Sequence, residues 1–181
     1  VVINTGRGAR EGVWFARETG CDLLTSGAGG ALVVDGRTGR TLYRWDVPAP
    51  SARRALELCL SWDVELMVFA KGEILVTPDY KKTLESFYYS PAFHENAVVT
   101  EDFWGCMREY GLPLIKIHGE IGAVRPPVEE LAALEGVALT TSSSHDFELT
   151  AARANKGRAL SVIAGRLEIP LEQCAAVGDS E

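Results

Sequence analysis

A threonine, a glycine and an arginine in a row are the first residues of the chain whose types could bind an anion. Thr5, Gly6 and Arg7 follow a short apolar run at residues 1–4. A hydroxyl beside a glycine N–H can hold two phosphate oxygens, and an arginine adds a bidentate, charge-assisted contact. A plain strand-to-helix turn in which Thr5 caps the helix explains the same residues. The segment therefore predicts either a phosphate-binding turn or an ordinary one.

A lysine near the other end of the chain is the second candidate. Lys156 lies in the first turn of a predicted helix, where its charge opposes the helix dipole. With an anion bound, the lysine and the helix N-terminus would act together, and a local conflict of this kind is typical of functional sites. A solvated surface lysine is the alternative.

An aspartate and a glycine-rich loop complete the set of candidates. Residues 174–179 predict a buried strand that ends in Gly178 and Asp179. An aspartate at the carboxyl end of such a strand suits Mg²⁺, and an Asx-type turn explains it equally well. Residues 26–30 form a glycine-rich loop after another strand, so that backbone N–H groups could face a ligand. The loop lacks the spacing of a P-loop or a dinucleotide-binding motif.

Composition limits the class of protein and its partners. The 181 residues are 46% hydrophobic and 24% charged, which is typical of a globular protein with one large or two small domains. The net charge is -7 and no stripe of basic residues stands out, which argues against nucleic acid as a partner. No apolar run is long enough to span a bilayer.

Scattered cysteines and histidines give no metal-ligand spacing. The cysteines are Cys21, Cys59, Cys106 and Cys174, and the histidines are His94, His118 and His145. We interpret the cysteines as reduced thiols of a cytoplasmic protein and the histidines as structural or surface residues.

The order of predicted elements divides the chain. Residues 1–47 predict a strand, a helix over residues 9–19 that Gly20 ends, a second strand and a hairpin, which together form one side of an α/β sheet. The prolines within residues 48–50 mark a boundary, and Ser51 is a plausible N-cap of the next helix. Residues 48–152 predict a mixed α+β unit with many short strands.

The last part of the chain predicts an amphipathic helix from Lys156 onward, followed by the buried strand that ends at Asp179. The apolar residues that share one face of this helix are Ala159, Leu160, Ile163, Ala164 and Leu167.

Together, the order of these motifs resembles the Cof-like, class IIB members of the haloacid dehalogenase (HAD) superfamily. The resemblance rests on Thr-Gly-Arg after the first strand, "GGALVVD", a long insertion, "FELTAARANKGRAL" and "AAVGDSE". It implies a Rossmann-like α/β core built from residues 1–47 and 153–181. It also implies an inserted α+β cap of type C2 over residues 48–152.

The resemblance also implies a site and an activity. Thr5, with Gly6, would hold the phosphate, Lys156 would steady the nucleophile and the phosphoryl oxygens, and Asp179 would bind Mg²⁺. Arg7 would lie near the cap. The expected activity is Mg²⁺-dependent hydrolysis of a small phosphorylated metabolite, with sugar phosphates as the commonest class, through an aspartyl-phosphate intermediate.

Departures from the family pattern keep other functions open. The family's nucleophile lies in a DxD motif, and none precedes Val1; the chain also stops within its last motif. Gly29 and Arg153 replace residues that are common in relatives, which bears on substrate preference. A non-catalytic phosphate-binding or sugar-phosphate-binding fragment and a phosphosugar mutase of the same superfamily are the alternatives. The sequence does not determine the oligomeric state.

Overall fold

The computed structural model of the chain describes residues 1–109, 113–141 and 143–178. The first elements form a four-stranded sheet in the order β1-β2-β3-β4. Its strands are β1 (Val2–Asn4), β2 (Asp22–Gly27), β3 (Leu32–Asp35) and β4 (Arg40–Arg44), and α1 (Ala9–Thr19) connects the first two. β1 and β2 are parallel, whereas β2–β3 and β3–β4 are antiparallel. The predicted order of strand, helix, strand and hairpin is confirmed.

Both ends of α1 have a local cause in the sequence. The carboxylate of Glu11 accepts a hydrogen bond from the backbone N–H of Gly8, which satisfies a donor that the first helical turn leaves free. At the other end, Gly20 adopts φ 70° and ψ 20°, a left-handed conformation that glycine takes without a steric penalty. The predicted helix and its glycine stop are therefore confirmed.

The middle of the chain forms a second sheet of six strands in the order β7-β6-β5-β8-β10-β9. Its elements are α2 (Ala49–Leu60), β5 (Val64–Ala70), β6 (Glu73–Val76), α3 (Pro78–Glu85), α4 (Pro91–Asn96), β7 (Val98–Val99), α5 (Phe103–Glu109), β8 (Leu114–Ile121), α6 (Glu129–Ala132), β9 (Val137–Thr140) and β10 (Asp146–Ala151). All neighbouring strands are antiparallel except β6 and β7. Many short strands covered by helices confirm the predicted mixed α+β pattern.

Apolar clusters lie on both faces of the six-stranded sheet. On one face, Val68 and Phe147 pack against helix residues such as Leu56 and Phe103. On the other face, a second cluster joins the two sheets. Its members include Ala28 and Leu32 from the first part of the chain and Phe69, Ile74 and Ile115 from the second. The two sheets are thus held together by a shared apolar layer.

The last helix, α7 (Lys156–Arg166), packs on the four-stranded sheet. Ala159 and Ile163 bury their side chains against Leu24 and Val33. Most of the predicted apolar face is confirmed, but Leu167 follows the last helical residue and is 37% exposed.

Two predictions from the sequence are wrong. Ser51 is not an N-cap: α2 begins at Ala49, because a proline favours the first turn of a helix, and the Ser51 hydroxyl donates instead to the carbonyl of Glu135 at 2.7 Å. Residues 174–178 do not form a buried strand. Four of the five are exposed, and no described strand lies beside them to complete a ladder.

No helix within the described ranges is long and apolar enough to cross a membrane. The four cysteines are free thiols.

Candidate functional site

The turn that follows β1 has its own hydrogen-bond pattern. The N–H of Thr5 donates to the carbonyl of Ser26 at 3.0 Å, which continues the β1–β2 pairing past the end of the strand. The hydroxyl of Thr5 accepts from the N–H of Arg7 at 3.2 Å, so that the chain reverses within three residues. Because the N-cap of α1 is Gly8, the alternative in which Thr5 caps the helix is wrong.

The glycine-rich turn Ala28–Gly30 holds the Thr5 turn in place. The N–H of Ala28 donates to the carbonyl of Arg7 at 2.7 Å, and the N–H of Gly29 donates to the carbonyl of Thr5 at 3.1 Å. These two N–H groups are therefore occupied within the protein. The expectation that they face a ligand is therefore wrong for Ala28 and Gly29. The two N–H groups instead bond the carbonyls of the Thr5 turn.

The start of α7 reaches the same place through a close backbone approach. Gly30 has φ 93°, and a Cβ atom there would lie 2.3 Å from the carbonyl carbon of Asn155. Asn155 caps α7 by accepting from the N–H of Arg158 at 2.8 Å. In addition, the side-chain amide of Asn4 donates to the carbonyl of Lys156 at 2.9 Å. The residue before Thr5 is thus bonded directly to the predicted lysine.

Lys156 therefore lies at the helix N-terminus beside the Thr5 turn. Its side chain is exposed, and it forms no ion pair with any residue of the described ranges. An unpaired ammonium next to free helical N–H groups is an arrangement that favours an anion. The structure places Lys156 next to Asn4, the residue that precedes Thr5.

The side chain of Arg7 takes a different direction. Its guanidinium lies 3.4 Å from a carboxylate oxygen of Glu11 and 4.3 Å from the ring centre of Tyr88. The hydroxyl of Tyr88 donates to the same Glu11 oxygen at 3.0 Å, and burial raises the pKa of Tyr88, which stays neutral. In this structure Arg7 connects α1 to the segment between α3 and α4. Its predicted contact with phosphate stays a prediction.

The predicted metal ligand, Asp179, lies outside the described residues. Within the described ranges no cluster of three or more histidine, cysteine or acidic residues could hold a metal ion. Two buried oxygens near the Thr5 turn, on Asn4 and Ser26, have no hydrogen-bond partner among the residues that the structure describes. Both are neutral, whereas Mg²⁺ is usually bound through at least one carboxylate. The described residues alone do not make a magnesium site.

A charged group on the six-stranded sheet faces this turn, and the sequence motifs described above do not predict it. The ammonium of Lys116 donates to the carbonyl of Gly6 at 3.1 Å and to Oε1 of Glu148 at 2.5 Å. His118 lies 3.6 Å from the same oxygen. The signal was present in the sequence, because Lys116, His118 and Glu120 alternate with apolar residues and so share one face of β8.

Burial and pairing have opposite effects on the pKa values of this group. Desolvation lowers the pKa of Lys116, and the carboxylate of Glu148 opposes that effect. Desolvation alone would raise the pKa of Glu148, but His118 and Lys116 outweigh it and lower the pKa to about 2. Glu148 is therefore a carboxylate at neutral pH.

A sizeable cavity lies elsewhere in the described residues. It measures about 670 Å³ and is lined by α1 residues such as Val13 and Trp14, by the β3–β4 hairpin and by the β5–β6 turn around Lys71. None of the predicted phosphate-binding residues lines it. The candidate site is accordingly defined by converging polar groups and not by cavity size.

Known proteins resemble this chain in sequence and in fold. The sequence model of the family described as haloacid dehalogenase-like hydrolase matches residues 1–181. The Phosphatase YwpJ of Bacillus subtilis (strain 168) is 52% identical over 46 residues, which are 25% of this chain and 16% of that protein. The family resemblance expected from the sequence is confirmed.

Solved structures extend the likeness to the whole fold. A haloacid dehalogenase-like hydrolase from B. subtilis superposes with a TM-score of 0.78 at 22% identity, over 99% of this chain and 71% of that one. The HAD subclass IIB sugar phosphatase BT4131 superposes with a TM-score of 0.68 at 15% identity, over 96% of this chain and 65% of that one. At these identities the likeness concerns the fold alone, and the predicted fold class is confirmed.

Proposed function

The chain belongs to the haloacid dehalogenase-like hydrolases, and we propose that the protein hydrolyses the phosphate ester of a small metabolite, a sugar phosphate, with Mg²⁺ as cofactor. The observation that carries the proposal is the convergence of the Thr5 turn with Lys156, joined through the bond from Asn4 to the Lys156 carbonyl. We also propose that residues 48–152 form a cap over a core made of residues 1–47 and 153–181.

The chemistry follows from the groups at this turn. The hydroxyl of Thr5 and the backbone at Gly6 would orient the phosphoryl oxygens, and Lys156 would offset the charge that develops on them during transfer. The nucleophile would be an aspartate of a DxD motif, which residues 1–181 do not contain. Asp179 is the one residue proposed to bind Mg²⁺, which would offset negative charge on the phosphoryl group.

The choice of sugar phosphate rests on two supports. BT4131, which shares the fold, is by its name a sugar phosphatase. On the proposed cap, the face toward Gly6 carries an ammonium and a carboxylate side by side, which suits a polar leaving group.

A second candidate is a protein that binds a phosphate or a sugar phosphate without hydrolysing it. The observation in its favour is that the Thr5 turn and the start of α7, joined through Asn4, offer groups that bind a phosphate, and binding requires no nucleophile. A phosphosugar mutase of the same superfamily is a third candidate, and it requires the same nucleophile. Assays of product and of binding separate the three, because a binding protein releases no inorganic phosphate and a mutase gives an isomer.

Lys156→Gln in the full-length protein is the sharpest test. We expect kcat for a phosphate ester to fall roughly 100-fold or more, the usual effect of removing one group that stabilises transition-state charge. Arg166→Gln is a matched control, since it removes a positive charge at the opposite end of α7 and should leave kcat unchanged. Phosphate release would be measured with and without Mg²⁺.

The same assay tests the metal ligand. Asp179→Asn should abolish the Mg²⁺ dependence together with most of the activity. Equal phosphate release by wild type, Lys156→Gln and Asp179→Asn would show that this site does not perform the reaction.

A further inference from the structure

We propose that Lys116, His118 and Glu148 form a subsite that binds hydroxyl groups of the substrate's leaving group. The subsite would make the protein select polyhydroxylated phosphate esters over aryl phosphates. This inference rests on the proposed phosphatase function and assigns the choice of substrate to three side chains of the six-stranded sheet.

Strand register places the three side chains on one face. His118 of β8 pairs directly with Glu148 of β10, and Lys116 pairs with Thr150 two positions further along. Because residues two apart in a strand share a face, these four side chains form a contiguous polar patch.

The patch lies directly over the candidate phosphate turn. Lys116 Nζ is 3.1 Å from the carbonyl oxygen of Gly6, and a methyl group of Thr150 would lie 4.0 Å from a Cβ placed on Gly29. A leaving group attached to a phosphate at Thr5 and Lys156 would therefore point toward this patch.

Burial of the charged pair argues for a role beyond stability. The side chain of Lys116 is only 2% exposed, and that of Glu148 is 24% exposed. Removing two charges from water costs free energy that their attraction offsets incompletely, and apolar residues of similar volume often stabilise a fold as well or better. A lysine is almost never buried to this extent without a partner. A polar ligand bound between the two sheets would explain why Lys116 and Glu148 are buried there as a charged pair.

Bonding capacity remains on the pair. Both contacts of Glu148 with the described residues are made through Oε1, which leaves Oε2 without one. Lys116 donates to Gly6 and Glu148 through two of its three N–H groups. A carboxylate oxygen and an ammonium at adjacent positions match two neighbouring hydroxyls, one as donor and one as acceptor. The ring of Tyr80 lies nearly parallel to that of His118, with the ring centres 6.5 Å apart and 9° between the planes.

The charge balance selects between ligand classes. One ammonium and one carboxylate nearly cancel, so the patch favours a neutral polar group. A second phosphate on the leaving group would find no net positive charge there to balance it, and an apolar aryl group would leave both charges without a new partner. A sugar or another polyol satisfies both.

Entry of such a ligand requires the Lys116–Gly6 contact to open. The ammonium is already in contact with the turn that would hold the phosphate, so a ligand hydroxyl would take the place of the Gly6 carbonyl. The same lysine would then contact the substrate at the point where the leaving group meets the phosphate.

The test compares Glu148→Gln with wild type in the full-length protein. The kcat/KM values are measured for a panel of hexose and pentose phosphates and for para-nitrophenyl phosphate. We expect Glu148→Gln to lower kcat/KM for the sugar phosphates at least about tenfold and to change that for the aryl ester less than about threefold. His118→Gln is the second variant, and it should shift the same ratio in the same direction. Melting temperatures confirm that each variant is folded.

Glu65→Gln is the matched control, because Glu65 lies on β5 of the same sheet, and its carboxylate accepts a hydrogen bond from Thr77 away from the Gly6 turn. For Glu65→Gln, the ratio of kcat/KM for the sugar phosphates to kcat/KM for para-nitrophenyl phosphate should equal the wild-type ratio. If wild type hydrolyses these esters and neither Glu148→Gln nor His118→Gln changes the ratio, the subsite is wrong and the proposed function stands. If wild type hydrolyses no ester of the panel, the proposed function fails and the subsite with it.

Discussion

At the scale of single residues, this molecule buries charged side chains of a kind that folded proteins usually leave exposed to solvent. Lys116 and Glu11 have side chains that are 2% and 1% exposed, and each has at least two polar partners. Such residues are held by specific geometry, because losing one partner leaves the other charge buried and uncompensated. Their protonation therefore couples to the stability of the fold.

Glu148 gives a test of that coupling through pH. Its pKa is about 2 in the folded protein against an ordinary value of 4.5, so its contribution to stability is complete above pH 4.5 and is lost as the pH falls toward 2. We expect wild type to lose about 2–3 kcal/mol more than Glu148→Gln in its free energy of unfolding between pH 5 and pH 2.5. Urea denaturation at a series of pH values measures the difference, and identical pH slopes would contradict it.

At the scale of elements, the site depends on backbones that approach each other closely. Ala28 and Gly29 bind the carbonyls of the Thr5 turn, while Gly30 lies against Asn155 at the start of α7. Neither a strand nor a helix alone positions the candidate phosphate-binding groups. The glycine-rich turn connects them, and its lack of a side chain at residue 30 is what makes the approach possible.

Gly30→Ala tests this contact. The new methyl group would meet the Asn155 backbone and also force a non-glycine residue to a positive φ, so we expect a loss of about 3 kcal/mol or more in unfolding free energy. Gly39→Ala is the control. Gly39 has φ 71° with open space around it, so we expect a loss of only about 1 kcal/mol in unfolding free energy, from placing alanine in a left-handed backbone conformation. Chemical denaturation compares the two, and equal losses would mean that the close approach does not matter.

At the scale of the whole molecule, a few polar contacts supplement the apolar layer between the two sheets. Glu11 at the start of α1 binds Gly8, Arg7 and Tyr88, and so joins the four-stranded sheet's helix to the segment between α3 and α4. Lys116 makes another such contact, with Gly6. Relative movement of the two sheets has to break or replace both.

Glu11→Ala should weaken this connection most. It removes a buried carboxylate that has three partners, and we expect a loss of about 3–5 kcal/mol in unfolding free energy. Tyr88→Phe removes only one of the hydrogen bonds and should cost about 1 kcal/mol. Hydrogen exchange should become faster in α4 and residues 86–90 in both variants, with the larger change in Glu11→Ala. Unchanged exchange there would show that Glu11 stabilises α1 alone.

Local patterns in the sequence predicted most elements correctly, because their causes are local. Gly20 ends α1 by its own conformation, and the apolar face of α7 follows from helical spacing. The strand expected over residues 174–178 failed for the opposite reason, since a strand exists only beside a neighbour and an apolar run does not reveal one.

The sequence by itself determined the family, the order of an α/β segment followed by a mixed α+β segment, and the candidates Thr5, Gly6 and Lys156. These depend on motifs and on periodicity, which are written along the chain. Only the tertiary structure decided that Arg7 turns toward Glu11 and Tyr88, and that Lys116 and Glu148 lie over Gly6. The physical reason is that pairing partners 77 and 110 residues apart are chosen by the packing of two sheets, which no local pattern encodes.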